Sequence, residues 1–158
     1  MNVYNVGTHK QKLLSKREYD DLKMYFQYAK LAGERSKSER LKVGACIVTK
    51  HGGNYVGYNG TLAGRSNSCE TEDNVTHNGV IHAEANALDK MQKDGISSLD
   101  ATVYITHSPC EVCLTRMINA GVKTVYYNIE YRVVDHLRDE PNNKDIEIIH
   151  VPEDSLKY

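Results

Sequence analysis

Between Ser15 and Gly33 the apolar side chains Leu22, Tyr25, Phe26 and Ala29 fall at i, i+3, i+4 and i+7, the spacing of one helix face. Ser15-Lys16-Arg17-Glu18 stands just before them with the pattern of a capping box, so the spacing predicts a helix from Ser15 to about Gly33. The period then changes. Val43 to Thr49 is a short, nearly continuous apolar run, His51-Gly52-Gly53-Asn54 is turn chemistry, and Tyr55 to Tyr58 reads as a returning strand of a hairpin. Residues 59–80 are rich in Gly, Asn, Ser and Thr and show no period, a long connection of the kind that carries function. A second helix is expected from about His82, with Ala85, Leu88 and Met91 on one face and Gly95 ending it. Ala101 to Thr106 is a third strand, and a third helix beginning around Cys110 would bury Leu114, Met117 and Ile118 before Gly121. Val122 to Tyr127 and Ile146 to Val151 complete five strands, with a short helical piece between them over Val133 to Arg138.

Strands that alternate with helices after residue 80 imply right-handed crossovers and a parallel portion of sheet beside the antiparallel hairpin. The expected fold is α/β: a three-layer α/β/α sandwich with a mixed five-stranded sheet, formed by residues 1–158 as a single domain whose first fifteen residues are an extension. An apolar content of 40% in 158 residues suits a domain with its own core. No stretch approaches the ~20 apolar residues of a membrane span. Met1 to Ser15 lacks the apolar centre of a signal peptide, so the expected location is cytoplasmic. With 20 basic and 21 acidic side chains, the charge balance counts against a nucleic-acid polymer as partner. It suits a small anion met by one or two arginines. The cysteines Cys46, Cys69, Cys110 and Cys113 then read as ligands or free thiols rather than a disulfide framework.

Chemistry concentrates in two short motifs, His82-Ala83-Glu84 and Pro109-Cys110-Glu111-Val112-Cys113, each opening an expected helix. Cys110 and Cys113 at i and i+3 can face one side of a first turn, where the helix dipole favours thiolates. One imidazole and two thiolates supply three of the four tetrahedral positions of zinc and leave the fourth open, as catalytic zinc sites do. A Cys-x-x-Cys pair alone is equally compatible with a thioredoxin-like redox site. A single His at a helix start is commonly a cap, and a single Glu in a first turn commonly complements the dipole. Together they match the H-x-E…P-C-x-x-C signature of zinc nucleobase deaminases, in which the Glu is not a ligand but shuttles protons. Glu84 is accordingly the candidate acid–base residue.

Over residues 29–132 the chain resembles the deoxycytidylate (dCMP) deaminases. Beyond the zinc motifs, the resemblance rests on Arg35-Ser36 with Val43-Gly44-Ala45-Cys46, on Gly57-Tyr58-Asn59-Gly60 and on Tyr131-Arg132. It implies hydrolysis of dCMP to dUMP and ammonia, with Asn59 on the deoxyribose and Arg35, Tyr131 and Arg132 on the 5′-phosphate. Arg40 competes with Arg35 for that role, and His77 could also approach the phosphate. Bidentate guanidinium groups and a phenol hydroxyl are the donors a phosphate monoester requires. The resemblance further implies a homohexamer that dCTP, bound with magnesium, activates and dTTP inhibits, with residues 60–80 contributing to the effector site. Cys69 and His77 offer two ligands of the four that a second, structural zinc would need. Cys46 sits in a core strand.

Other activities remain open at this point. Within the deaminases they are action on free cytidine or deoxycytidine, on dCTP, or on tRNA adenosine. Outside them stands a nucleotide-binding or thiol redox module without turnover.

Overall fold

The computed structural model describes residues 3–62, 68–70, 72, 79–132 and 134–158. His77 and Val133 lie outside the described residues. In chain order the strands are β1 (Val3–Val6), β2 (Lys12–Ser15), β3 (Gly44–Val48), β4 (Asn54–Tyr58), β5 (Thr102–His107), β6 (Thr124–Ile129) and β7 (Glu147–His150). The helices are α1 (Lys16–Gly33), α2 (Ala83–Lys93) and α3 (Glu111–Asn119), with 3-10 turns at Asp135–Arg138 and Glu153–Ser155. The main sheet has the order β4-β3-β5-β6-β7. Strand β3 pairs antiparallel with β4 and β5, whereas β5–β6 and β6–β7 are parallel. This is the mixed five-stranded sheet that the alternation of elements predicts.

The inner strands read as unbroken apolar runs because helices cover both faces of the sheet. Side chains still alternate. Ala45, Ile47, Val103, Ile105, Val125 and Tyr127 point toward α2 and α3, where they meet Leu88, Met91, Leu114 and Met117. The intervening Cys46, Tyr104 and Tyr126 point the other way, toward Leu22, Phe26 and Ala29 of α1. Phe26 meets Tyr104 edge-on at 5.5 Å between ring centres, and Tyr104 stacks on Tyr126 at 5.2 Å, so aromatic packing fills this second layer.

Helix α1 begins with the complete capping box: Ser15 Oγ accepts from Glu18 N at 3.2 Å, and Ser15 N donates to Glu18 Oε1 at 3.0 Å. The first fifteen residues are not a bare extension. They form the β1–β2 hairpin, whose Val6 and Leu14 join the α1-side core. Lys12 Nζ reaches Glu147 of β7 at 2.7 Å, and Thr8 bonds the His150 ring at 2.8 Å, so the hairpin is tied to the far edge of the sheet. The short helical piece expected over 133–138 is a 3-10 turn.

Two glycines set how closely helices approach the sheet. A Cβ on Gly44 would strike the Ala29 carbonyl oxygen of α1. A Cβ on Gly57 would strike the Ala83 carbonyl oxygen and lie 2.7 Å from Ala87 N, both in the first turns of α2. Without a side chain there, α2 rests directly on the β4 backbone. The ends of the 61–80 segment are also fastened together, by Gly60 N to Ile81 O (3.1 Å) and Ile81 N to Gly60 O (2.8 Å). The residue after this bridge is His82.

Candidate active site

His82 and Cys110 occupy the same position on different helices, each as the extended N-cap residue, of α2 and α3 respectively. The cap residue's side chain lies beside the open N–H groups of the first turn. Cys110 Sγ uses this, accepting from Cys113 N at 3.4 Å. Strands β4 and β5 both run antiparallel to β3, so their C-terminal ends, after which α2 and α3 begin, lie at one end of the sheet, and His82 Nδ1 lies 3.3 Å from Cys113 Sγ and 3.6 Å from Cys110 Sγ. The three ligand atoms fall within 4.8 Å of one another. His82 and Cys110 are open to solvent while Cys113 is buried. Two thiols and the Nδ1 of one imidazole at this separation fit the tetrahedral N/S donor set of zinc.

The thiols divide the charge unequally. Hydrogen bonds from Cys113 and His82 pull Cys110 down to about 3, and the same contact with Cys110 pushes Cys113 up. Cys46, by contrast, is pushed up to about 12 by burial alone and is an inert core thiol.

Glu84 follows His82 by two residues and is only 3% exposed. Burial pushes its carboxyl above the ordinary value, against the opposing pull of the His82 imidazole. A carboxyl shifted in this direction holds its proton more readily than a solvated one and is suited to acid–base work.

A cavity of about 730 Å³ opens over these residues, within the range for a small-molecule site. Asn59 is on its wall, with its amide already spanning the loop before β3: Oδ1 accepts from Val43 N (2.9 Å) and Nδ2 donates to Leu41 O (2.8 Å). Tyr131 and Arg132 also line it. Ser108 holds them by accepting from Tyr131 N at 2.8 Å and donating to Tyr131 O at 3.2 Å. Arg132 has a left-handed φ of 58° and places its guanidinium 4.9 Å over the Tyr131 ring. Arg40 Nη2 approaches the Tyr131 hydroxyl at 3.4 Å from the other side.

Of the two candidate arginines between α1 and β3, Arg40 lines this cavity, and Arg35, expected there, does not. Arg35 N donates to Ala32 O and Ser36 N to Gly33 O, which continues the last turn of α1. That turn leaves the Arg35 side chain in a second cavity of about 940 Å³, with Lys37, Lys90, Lys93 and Cys69.

His107 also lines the first cavity, and the sequence offered no cue beyond its place at the end of a strand. Thr106 Oγ1 accepts from Gly44 N (3.1 Å) and lies 2.8 Å from His107 Nδ1, which orients the ring. Burial holds the His107 ring below its ordinary value, favouring the neutral form.

Comparison with known proteins accords with this geometry. Residues 19–129 match the family described as the cytidine and deoxycytidylate deaminase zinc-binding region. The chain is similar to the deoxycytidylate deaminase of Mycobacterium phage D29, 30% identical over 129 residues that cover 72% of this chain and 97% of the phage protein. It is 39% identical to ComE operon protein 2 of Bacillus subtilis over 103 residues, 62% of this chain, and the match spans about half of that longer protein, 53%. Among solved structures, the dCMP deaminase of cyanophage S-TIM5 in complex with dCMP and dUMP superposes with a TM-score of 0.77 at 38% identity, covering 84% of this chain and 97% of its own. The chain thus belongs to the zinc-binding family of cytidine and deoxycytidylate deaminases.

Proposed function

We propose that the protein hydrolyses dCMP to dUMP and ammonia. The observation that carries this reading is the rim of the first cavity, where Arg40 and Arg132 flank the Tyr131 hydroxyl and ring. Two guanidinium groups and a phenol make a donor set for a phosphate monoester, which a nucleoside deaminase has no need of. Relatives named as deoxycytidylate deaminases support it.

In this mechanism His82, Cys110 and Cys113 hold zinc. Bound zinc supplies Lewis acidity that makes water nucleophilic near neutral pH. Glu84 moves the protons: one carboxylate oxygen receives a proton from the attacking water, and the acid delivers it to ring N3 of cytosine as C4 becomes tetrahedral. Glu84 then takes the proton of the new C4 hydroxyl and passes it to the exocyclic nitrogen, so that C4=O forms as the C4–N bond breaks and ammonia leaves. Burial suits Glu84 to both roles, because a carboxyl with a raised pKa changes state at little cost. The Asn59 amide retains one N–H and a carbonyl lone pair for the sugar after its bonds to Leu41 and Val43.

The second cavity supports the regulatory part of the reading. Arg35, Lys37, Lys90 and Lys93 outnumber Asp89, which is itself paired with Arg116 at 3.0 Å, so the cavity suits a polyphosphate such as dCTP with magnesium, or dTTP. A homohexameric assembly belongs to the same reading. So does a cytoplasmic location: no described helix is long and apolar enough to cross a membrane. The β1–β2 hairpin, through Val6 and Leu14, is part of one deaminase domain.

The deciding experiment is ammonia release from dCMP, deoxycytidine, cytidine and dCTP, each with and without dCTP or dTTP as effector. Preferential turnover of dCMP is expected. Activity confined to the nucleosides would remove the phosphate role of Arg40 and Arg132.

A further inference from the structure

Glu70 has no part in the chemistry above, yet its carboxylate binds the loop that carries Arg40 at three points. Glu70 Oε1 accepts from Ser38 Oγ at 2.6 Å, Glu39 N at 2.9 Å and Arg40 N at 3.0 Å. The hydroxyl of Ser38, a residue only 3% exposed, also accepts from Leu41 N at 3.3 Å, while Ser38 N donates to Ser36 Oγ at 3.2 Å. Residues 38–40 belong to no helix or strand, so no ladder satisfies the N–H groups of Glu39 and Arg40. A single carboxylate from a distant part of the chain does so instead. Hydrogen bonds to an ionised acceptor are roughly twice as strong as neutral ones. The Ser38 hydroxyl and these backbone donors hold the Glu70 carboxyl below its ordinary value.

The direction of Arg40 depends on that anchorage. Its side chain leaves a backbone fixed at Ser38, Glu39 and Arg40 and ends beside the Tyr131 hydroxyl. Two neighbours further along are fixed by different means, since Leu41 O and Val43 N are bonded to Asn59. Removing Glu70 would therefore free the Arg40 backbone while leaving the start of β3 in place.

We propose that Glu70 is a positioning residue for substrate recognition: by binding Ser38 Oγ and the N–H groups of Glu39 and Arg40, it sets Arg40 to face the phosphate end of the cavity. The proposal rests on the reading of Arg40 as a phosphate ligand.

The test is steady-state kinetics on dCMP with the zinc-loaded full chain carrying Glu70→Gln, Glu70→Ala, Arg40→Ala, or Arg40→Ala with Glu70→Gln. Glu70→Gln should raise KM for dCMP by about 3–10-fold, the size of one weakened charge-assisted hydrogen bond. Glu70→Ala should raise it further. Saturating kcat and zinc content should stay unchanged in both. In the Arg40→Ala background Glu70→Gln should add almost nothing, because residues acting as one unit are not additive. The proposal is overturned by an unchanged KM, by a full-sized Glu70→Gln effect without Arg40, or by kcat and zinc falling along with affinity. Should Glu70→Ala not fold, Glu70→Gln decides on the same criteria. An Arg40→Ala variant with wild-type KM would overturn the phosphate reading itself, a result distinct from the other three.

Discussion

Gly57→Ala places one methyl group where β4 touches the start of α2. The added carbon would strike the Ala83 carbonyl oxygen and lie 2.7 Å from Ala87 N and 3.1 Å from Ala87 Cβ, where ordinary contact begins at 3.4 Å. The nearest atoms are backbone, so no side chain can rotate away, and the first turn of α2 must retreat by about 1 Å. Overpacking of this kind costs about 1–3 kcal/mol, which for a chain of this size lowers Tm by about 2–12 °C. The consequence for activity is larger than for stability. His82 caps that turn and Glu84 lies within it, and a displacement approaching 1 Å costs a reaction up to about 100-fold. The variant should therefore stay folded and lose about 10–100-fold in kcat, with weaker zinc retention against a chelator. Ala87→Gly should not rescue it, since the Ala83 and Ala87 backbone atoms remain. Differential scanning fluorimetry, metal analysis and ammonia release together make the measurement. Wild-type Tm and kcat would refute the claim that Gly57 sets the position of α2.

Glu84→Gln should retain one zinc per chain while kcat falls by about 100–10,000-fold, the usual range for a lost proton shuttle, and unchanged turnover would contradict the role. Arg132→Ala should raise KM for dCMP by about 10–100-fold through loss of a charged hydrogen bond and leave the rate on deoxycytidine nearly as it was; equal effects on the two would refute a phosphate contact. Removing metal with a chelator should abolish activity, and zinc should restore it without refolding, as measured by far-UV circular dichroism and turnover. The Lys12–Glu147 pair predicts a pH window. Burial, the largest single influence, disfavours both charges, but their hydrogen bond and mutual attraction, together with smaller contributions from Tyr126 and Thr124, outweigh it, raising Lys12 above 10.5 and lowering Glu147 below 4.5. The stabilisation should therefore be present between these values, fade as acid titrates Glu147 below 4.5, and fade again as base titrates Lys12 above 10.5. At about 0.2–1 kcal/mol the effect is small, and a Lys12→Ala variant as stable as wild type at pH 7 would show the pair contributes nothing.

The helices and inner strands were readable because their physics is local. Leu22, Phe26 and Ala29 mark one face of α1, and the strands that helices cover twice, such as Val103-Tyr104-Ile105, are apolar throughout. The metal-binding trio was readable for a related reason: both its anchors are helix caps, and a cap is set by the few residues that follow it. What escaped depends on tertiary context. The β1–β2 hairpin buries little besides Val6 and Leu14, too few positions to establish a period of two. Arg35 and Arg40 differ only in where α1 unwinds, and one further turn at Arg35 and Ser36 sends them to separate cavities. The orientation of the His107 ring depends on Thr106 and, through it, on Gly44, more than sixty residues earlier.

The paired hydrogen bonds between Gly60 and Ile81 act as a clasp, and a clasp defines a cassette. Since both ends of residues 61–80 are fixed at one point on the framework, the insert's length has little leverage on the catalytic residues beyond it. Loop-closure entropy grows only slowly with length, so longer or shorter inserts would cost little stability. The zinc ligands and Glu84 could thus be retained while the cassette is exchanged to alter what the second cavity accepts, provided each replacement still delivers one carboxylate to the backbone of Glu39 and Arg40. Reshaping the second cavity and preserving the arrangement of His82, Glu84, Cys110 and Cys113 then become separable problems in this fold.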